Sequence, residues 1–251
     1  MRKYLVRGVV SLTLATVMGG AHALQPLITD DTGTQGAGRQ QLEGAYTRER
    51  AHGASGPTRE QGVVYTFGLS DGIDLYAAAT HSHSPTASGW TNPVVGMKWR
   101  FFESEDESTS LAIKPELAFP VSASRESNEL GTGKTSGSLT LILSRQVPFG
   151  AVHFNLGTGQ DRFRQGSGQD NNRSTRISVA PVWSVTEQLS LALDLGRERT
   201  VEAGQTQITR FTELGLIYAI QKDLDWALGT IKTRAPGEKS TLWTSGLTWR
   251  F

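Results

Sequence analysis

The last eleven residues, Thr241 to Phe251, alternate without a break. Trp243, Ser245, Leu247, Trp249 and Phe251 form one row, and Leu242, Thr244, Gly246, Thr248 and Arg250 form the other. A two-residue period with one aromatic, apolar row is a β-strand with one face in an apolar medium. Two environments supply such a face: the interior of a soluble sandwich and the hydrocarbon of a bilayer. The rest of the chain has to separate them.

Twelve strand candidates follow the first 38 residues, at 39–50, 58–69, 73–82, 92–102, 110–121, 134–146, 151–162, 173–185, 189–199, 207–220, 224–233 and 240–251. Most have the roughly ten residues of a tilted membrane strand. No segment carries a helical period. Beyond residue 23 no stretch approaches the ~20 apolar residues of a spanning helix. The connections alternate in length. Short ones fall at Ser70–Gly72, Glu103–Thr109, Val147–Gly150, Thr186–Gln188 and Gln221–Asp223. Longer polar ones fall at Ala51–Pro57, His83–Thr91, Ser122–Gly133, Phe163–Asn172, Thr200–Thr206 and Arg234–Lys239. Short periplasmic turns, longer outer loops and an even strand number predict an all-β, transmembrane, up-and-down antiparallel β-barrel of about 12 strands. The final strand resembles the C-terminal insertion signal of bacterial outer-membrane barrels. That resemblance implies the barrel-insertion machinery as a partner, engaged through the strand ending at Phe251.

The start of the chain agrees with export. Arg2, Lys3 and Arg7 precede a short apolar run, Val9 to Val17, and Ala21-His22-Ala23 has the small-x-small form of a cleavage site. Residues 1–23 read as a signal peptide, 24–38 as a periplasmic N-terminal segment and 39–251 as the barrel, placed in the bacterial outer membrane. Of the 25 Lys and Arg, three lie in the leader, which leaves 22 against 24 Asp and Glu, a net charge of −2. Nothing in that balance points to nucleic acid. The chain has no cysteine, so it is no disulfide scaffold.

The strand faces support a membrane wall. The rows Leu139/Leu141/Leu143, Leu189 to Leu195, Ile177 to Val185, Leu111 to Val121 and Val95 to Phe101 are assigned to lipid. Aromatic girdles are expected from Trp99, Phe101, Phe119, Trp183, Tyr218, Trp226, Trp249 and Phe251 at the short-turn end. Tyr46, Trp90, Phe211 and Trp243 would supply the loop end. Pro115 and Pro181 fall inside strands, where each removes a ladder donor, so bulges are expected there. The opposite rows carry the charge. Glu43, Lys98, Arg100, Lys114, Glu116, His153, Asp194, Glu213 and Arg250 are the candidate lumen and substrate path, joined by Asp74, Tyr76, Asn155, Asp161 and Arg176. Charges of both signs confined to one face fit either a polar path for a solute or an interior filled by salt bridges.

Other chemistry is poorly supported. His81, Ser82, His83 and Ser84 form the only His/Ser cluster, at a strand end, with no acid neighbour to complete a triad. No catalytic, cofactor or metal site is assigned. The run Thr29-Asp30-Asp31-Thr32-Gly33-Thr34 does not match the spacing of an EF-hand loop, and an Asx turn explains it better. Gly33, Gly36 and Gly38 loosen the stretch before the first strand.

The stretch Leu27 to Glu43, LITDDTGTQGAGRQQLE, followed by a strand, resembles the opening of an outer-membrane family described as putative meta-pathway phenol-degradation proteins, or transporters. The resemblance implies an outer-membrane barrel for uptake of small compounds, often aromatic or hydrophobic. The expected function is passive passage of small molecules, with outer-membrane lipid and a small-molecule solute as partners and no enzyme activity. The alternatives are a lipid- or peptide-hydrolysing barrel and a structural or adhesive one.

Overall fold

The computed structural model describes residues 26–251. The leader and its cleavage site lie outside the described residues. Thirteen strands form the wall: β1 (Gln40–Ala51), β2 (Thr58–Ser70), β3 (Ile73–His83), β4 (Ser88–Trp90), β5 (Val94–Glu103), β6 (Thr109–Ala118), β7 (Ser136–Val147), β8 (Gly150–Asp161), β9 (Asn172–Ser184), β10 (Leu189–Glu202), β11 (Gln205–Gln221), β12 (Leu224–Ala235) and β13 (Glu238–Arg250). The short β4 and β5 pair in turn with β3 and make one stave. The result is a closed twelve-stave antiparallel barrel. Each stave pairs with its sequence neighbours, and β1 pairs with β13. Gln40 N donates to the Phe251 carbonyl and Phe251 N to the Gln40 carbonyl, each at 2.9 Å. The aromatic terminus thus sits at the seam, beside the first strand, as the sequence predicts.

Closure explains why alternation governs this chain. With the barrel closed, the wall has no long free edge of unpaired main-chain donors and acceptors. Only side-chain direction then distinguishes the two media. Leu117, Leu139, Leu141, Leu191, Leu195 and Ile177 are exposed on the outer wall. Lys98, Lys114, Glu43, Asp194 and Glu213 are buried inside it. Two rings expected in the girdles belong elsewhere. Phe211 points inward, and a Cβ on Gly196 would overlap its ring. Phe119 follows β6 at the loop end instead of the short-turn end. Val121, assigned to lipid, is buried in a loop, its N–H bonded to the Thr132 carbonyl.

The prolines give an outcome different from a bulge. Pro115 and Pro181 face outward, and each is paired normally on one side, with Leu139 and Val152 respectively. On the other side the ladder between β5 and β6 lapses between Gly96/Glu116 and Trp99/Ile113. The ladder between β9 and β10 lapses between Ala192/Val182 and Leu195/Val179. The register resumes unshifted in both places. A missing N–H costs its own bond, and a neighbouring ladder this long holds the strand in place without inserting a residue.

Two connections expected to be loops are tight turns. Ala203 and Gly204, both with positive φ (47° and 78°), join β10 directly to β11. Two successive left-handed residues are the type I′ geometry that matches strand twist. Pro236 and Gly237, the latter at φ 79°, likewise join β12 to β13. Polar flanking residues made these hairpin tips look like loops. The β9–β13 side of the barrel therefore rises as paired strand, while the β5–β9 side carries the irregular loops.

One of those loops is tied by side-chain hydrogen bonds. It holds a short helix, α1 (Ala123–Ser127), capped by Ser122. Glu126 is buried and accepts from Gly133 N (3.0 Å), Arg164 N (2.8 Å) and Arg164 Nη1 (2.8 Å). Burial opposes its ionisation, but the two N–H groups and the guanidinium outweigh that and hold the carboxyl below its ordinary value of 4.5. The loop tie is therefore complete above about pH 4.5 and is lost as pH falls through the depressed value. Protease cleavage within 122–135 is expected to accelerate on acidification, and Glu126→Ala is expected to give fast cleavage at every pH.

Candidate functional site

The lumen is occupied. The segment expected to lie on the periplasmic side, before the barrel, instead crosses the interior from the β9–β12 wall to β3. Leu27 is buried against Ala180, Val182 and Ala192. Pro26 packs against the far wall, where Cβ atoms on Gly215 and Gly229 would lie 2.9 and 2.8 Å from its ring. From there five main-chain N–H groups, those of Ile28, Thr29, Asp30, Thr32 and Gln35, donate to side chains on the wall. Ile28 N donates to Glu213 Oε2 (3.2 Å) and Thr29 N to Asp194 Oδ2 (2.7 Å). The Thr29 hydroxyl bonds Asp194 Oδ1 at 2.7 Å and lies 2.7 Å from Ser178 Oγ. Asn155 grips Asp30 on both sides, accepting from its N–H (2.8 Å) and donating to its carbonyl (2.9 Å). Thr32 N donates to Ser144 Oγ (3.1 Å), and Gln35 N to both oxygens of Asp74 (3.1 Å each).

Two lysines clamp the acidic pair. Lys114 Nζ lies 2.9 Å from Asp30 Oδ2 and 3.8 Å from Glu116 Oε1, and 5.5 Å above the Tyr76 ring. Lys98 Nζ lies 3.7 Å from Asp31 Oδ1 and donates to the Gly33 carbonyl at 3.1 Å. Glu116 in turn accepts from the Tyr76 hydroxyl and from Ser138 Oγ, both at 2.9 Å. The Asx turn expected here is present, since Asp31 Oδ1 accepts from Gly33 N. The segment leaves at the short-turn end, where Gly36 and Gly38 adopt φ of 87° and 75°. Gly36 passes so close to β2 that a Cβ on Gly68 would overlap its carbonyl.

Most of the predicted path residues meet in this lumen. Glu43 is buried, with Oε1 accepting from Gln41 Nε2 (2.7 Å) and Oε2 without a partner among the described residues. Glu213 Oε1 is also unpartnered among them. His153 bonds Ser144 through Nδ1 at 2.8 Å, and that serine oxygen already takes the Thr32 N–H. Two predicted path residues sit at the rim instead. Arg100 bonds Glu103 (2.9 Å) and the Asp71 carbonyl (3.1 Å), next to a register irregularity in β5. Arg250 bonds Gln41 (3.1 Å) and Asp225 (2.7 Å). The His81–Ser84 cluster does not assemble: Ser82 turns inward, while His81 stacks edge-on with Trp90 and His83 is exposed. Thr29, Asp30 and Thr32 are the functional residues the sequence reading missed.

Among solved structures the chain is similar to the NanC porin, at 10% identity over 82% of this chain and 98% of that one, with a TM-score of 0.58. It is also similar to the β domain of the Bordetella autotransporter BrkA (10% identity, 86% and 100% covered, TM-score 0.49). A third is the CymD monoaromatic hydrocarbon channel (8% identity, 86% and 88% covered, TM-score 0.46). No family model and no curated protein matches the chain. The likeness is one of fold.

A net hydrogen bond contributes about 1 kcal/mol, less than the ~1–2 kcal/mol needed to fix one residue's backbone. The seat therefore depends on the ion pairs and on Leu27. Removing one partner of a buried pair costs about 3–5 kcal/mol, and Leu→Ala in a packed site about 2–5 kcal/mol. Asp30→Asn and Leu27→Ala are each expected to release the segment while the barrel stays folded. A cysteine placed at Thr32 should then react with a soluble maleimide ~100-fold faster. Unchanged labelling would mean that these contacts do not seat the segment.

Proposed function

We propose that the chain is an outer-membrane channel for passive passage of small molecules, closed near its periplasmic end by its own N-terminal segment. One observation carries this reading: the lumen admits an extended stretch of polypeptide with its side chains. Eight-stranded barrels are filled by their own side chains and sixteen-stranded ones leave a water channel. Here the filling is supplied by a strap held through side-chain contacts. Withdrawing it would leave a passage of about its own cross-section.

The remaining lumen suits small and partly apolar solutes. Tyr76, beside the clamp at Lys114 and Glu116, and Phe211 place rings on the inner face of the wall. Aromatic compounds, the class implied by the resemblance of the Leu27–Glu43 stretch, would stack on such rings. The loop-end half of the lumen is rich in carboxylates, including Glu49, Glu60, Glu198 and Glu238, with Arg176 paired to Glu198 at 2.8 Å. Acidic linings favour cations and neutral molecules over anions.

The test is conductance in planar bilayers. Deleting residues 26–33 is expected to turn a mostly closed barrel into an open one, with cations carrying most of the current in a salt gradient. Uptake of a neutral phenol into liposomes should rise in parallel. A deletion variant that is folded, inserted and still silent would defeat the proposal.

A further inference from the structure

Passage through the lumen does not account for the charge on the outside of the wall. Arg197 of β10 lies directly opposite Arg210 of β11, Arg210 opposite Arg234 of β12, and Arg234 opposite Lys239 of β13. Across the seam, Arg48 of β1 lies opposite Arg59 of β2. All six are exposed and alternate with lumen-facing neighbours. Directly opposed side chains stand about 4.5–5.5 Å apart at Cβ, and like charges there destabilise a sheet. Among the described residues none of the six is ion-paired. The carboxylates of these strands cannot help, because Glu49, Glu60, Glu198 and Glu238 alternate to the other face.

The height of the row is set by its neighbours. Arg48 is opposite Trp243, an outward ring at the loop end. Toward the short-turn end the same outward rows become Leu195, Leu214, Leu228 and Leu247. The basic row therefore borders the apolar band on its loop side.

We propose that this row binds the phosphate groups of a phosphorylated glycolipid in the outer leaflet. The inference rests on the outer-membrane reading. An arginine stem can lie along the apolar edge while its head reaches the polar layer. The guanidinium fork then donates paired bonds to phosphate oxygens. Phosphates seated between neighbouring arginines turn cross-strand repulsion into bridging. A row continuous over four strands suits a headgroup carrying more than one phosphate.

The test compares the folded barrel in phosphatidylcholine vesicles with and without bisphosphorylated lipid A, and with the same lipid after its phosphates are removed. The wild type is expected to retain lipid A through purification and to resist urea better in its presence, and neither effect should survive dephosphorylation. R197Q/R210Q/R234Q should lower that retention at least about tenfold. In plain phosphatidylcholine the same variant should be as stable as the wild type or more so, since the repulsion is relieved; a purely structural role would make it weaker everywhere. R145Q, an outward arginine at the short-turn end, should leave lipid A retention unchanged. Equal retention by the triple variant would overturn the proposal. So would equal stabilisation by dephosphorylated lipid or by free inorganic phosphate. The wild-type arms decide the matter alone if the triple variant does not fold. A barrel that enters phosphatidylcholine but ignores lipid A refutes this inference and leaves the membrane reading intact. One that enters neither membrane refutes both.

Discussion

Closure of the ladder between β1 and β13 is the constraint from which the other features follow. Once Gln40 and Phe251 exchange their main-chain bonds, every stave has a neighbour on both sides and most of the wall's backbone is bonded within the sheet. Side chains then sort by alternation alone, apolar to the outside and polar to the inside. That sorting creates a difficulty. Asp194, Glu213, Lys98 and Lys114 are buried inside the barrel, where an unpaired charge is costly. The N-terminal strap resolves much of it by bringing donors for the acids and carboxylates for the lysines.

Direction was legible in the sequence and occupancy was not. Parity alone assigns Glu43, Lys98, Lys114, Glu116, His153, Asp194 and Glu213 to the inside, because period two is the strongest signal a strand carries. It cannot say what those residues touch. Thr29 meets Asp194 across 165 residues of sequence, and no local pattern reports a contact of that range. The Asx turn at Asp31 is a local event and was readable. Its larger role was not, because the same Thr-Asp-Asp run that makes the turn also presents donors and carboxylates outward from it. The clearest overlooked signal is the set of lumen-facing glycines. Gly68, Gly215 and Gly229 leave room in the wall for Gly36 and Pro26, and a glycine inside a strand marks close approach of another backbone.

The errors in loop length share one physical cause. Thr200–Thr206 and Arg234–Lys239 are polar, and polarity was read as irregular chain. The positive φ of Ala203, Gly204 and Gly237 shows tight turns at the tips of long hairpins. Strands that leave the apolar layer lose the need for greasy residues while keeping their ladder. Composition then stops reporting strand, although pairing continues from Arg199/Ile208 to Glu202/Gln205.

The strap differs from every other part of the lumen in how it is held. Toward its Pro26 end its bonds run to side chains: Glu213, Asp194, Asn155, Ser144, Lys114 and Lys98. Main-chain bonds to the wall begin only where Gly38 N meets the Gly68 carbonyl. Its departure would break no ladder bond of the barrel, so the proposed opening need not disturb the wall. The left-handed glycines Gly36 and Gly38 lie between the two regimes, at the point where such a motion would pivot.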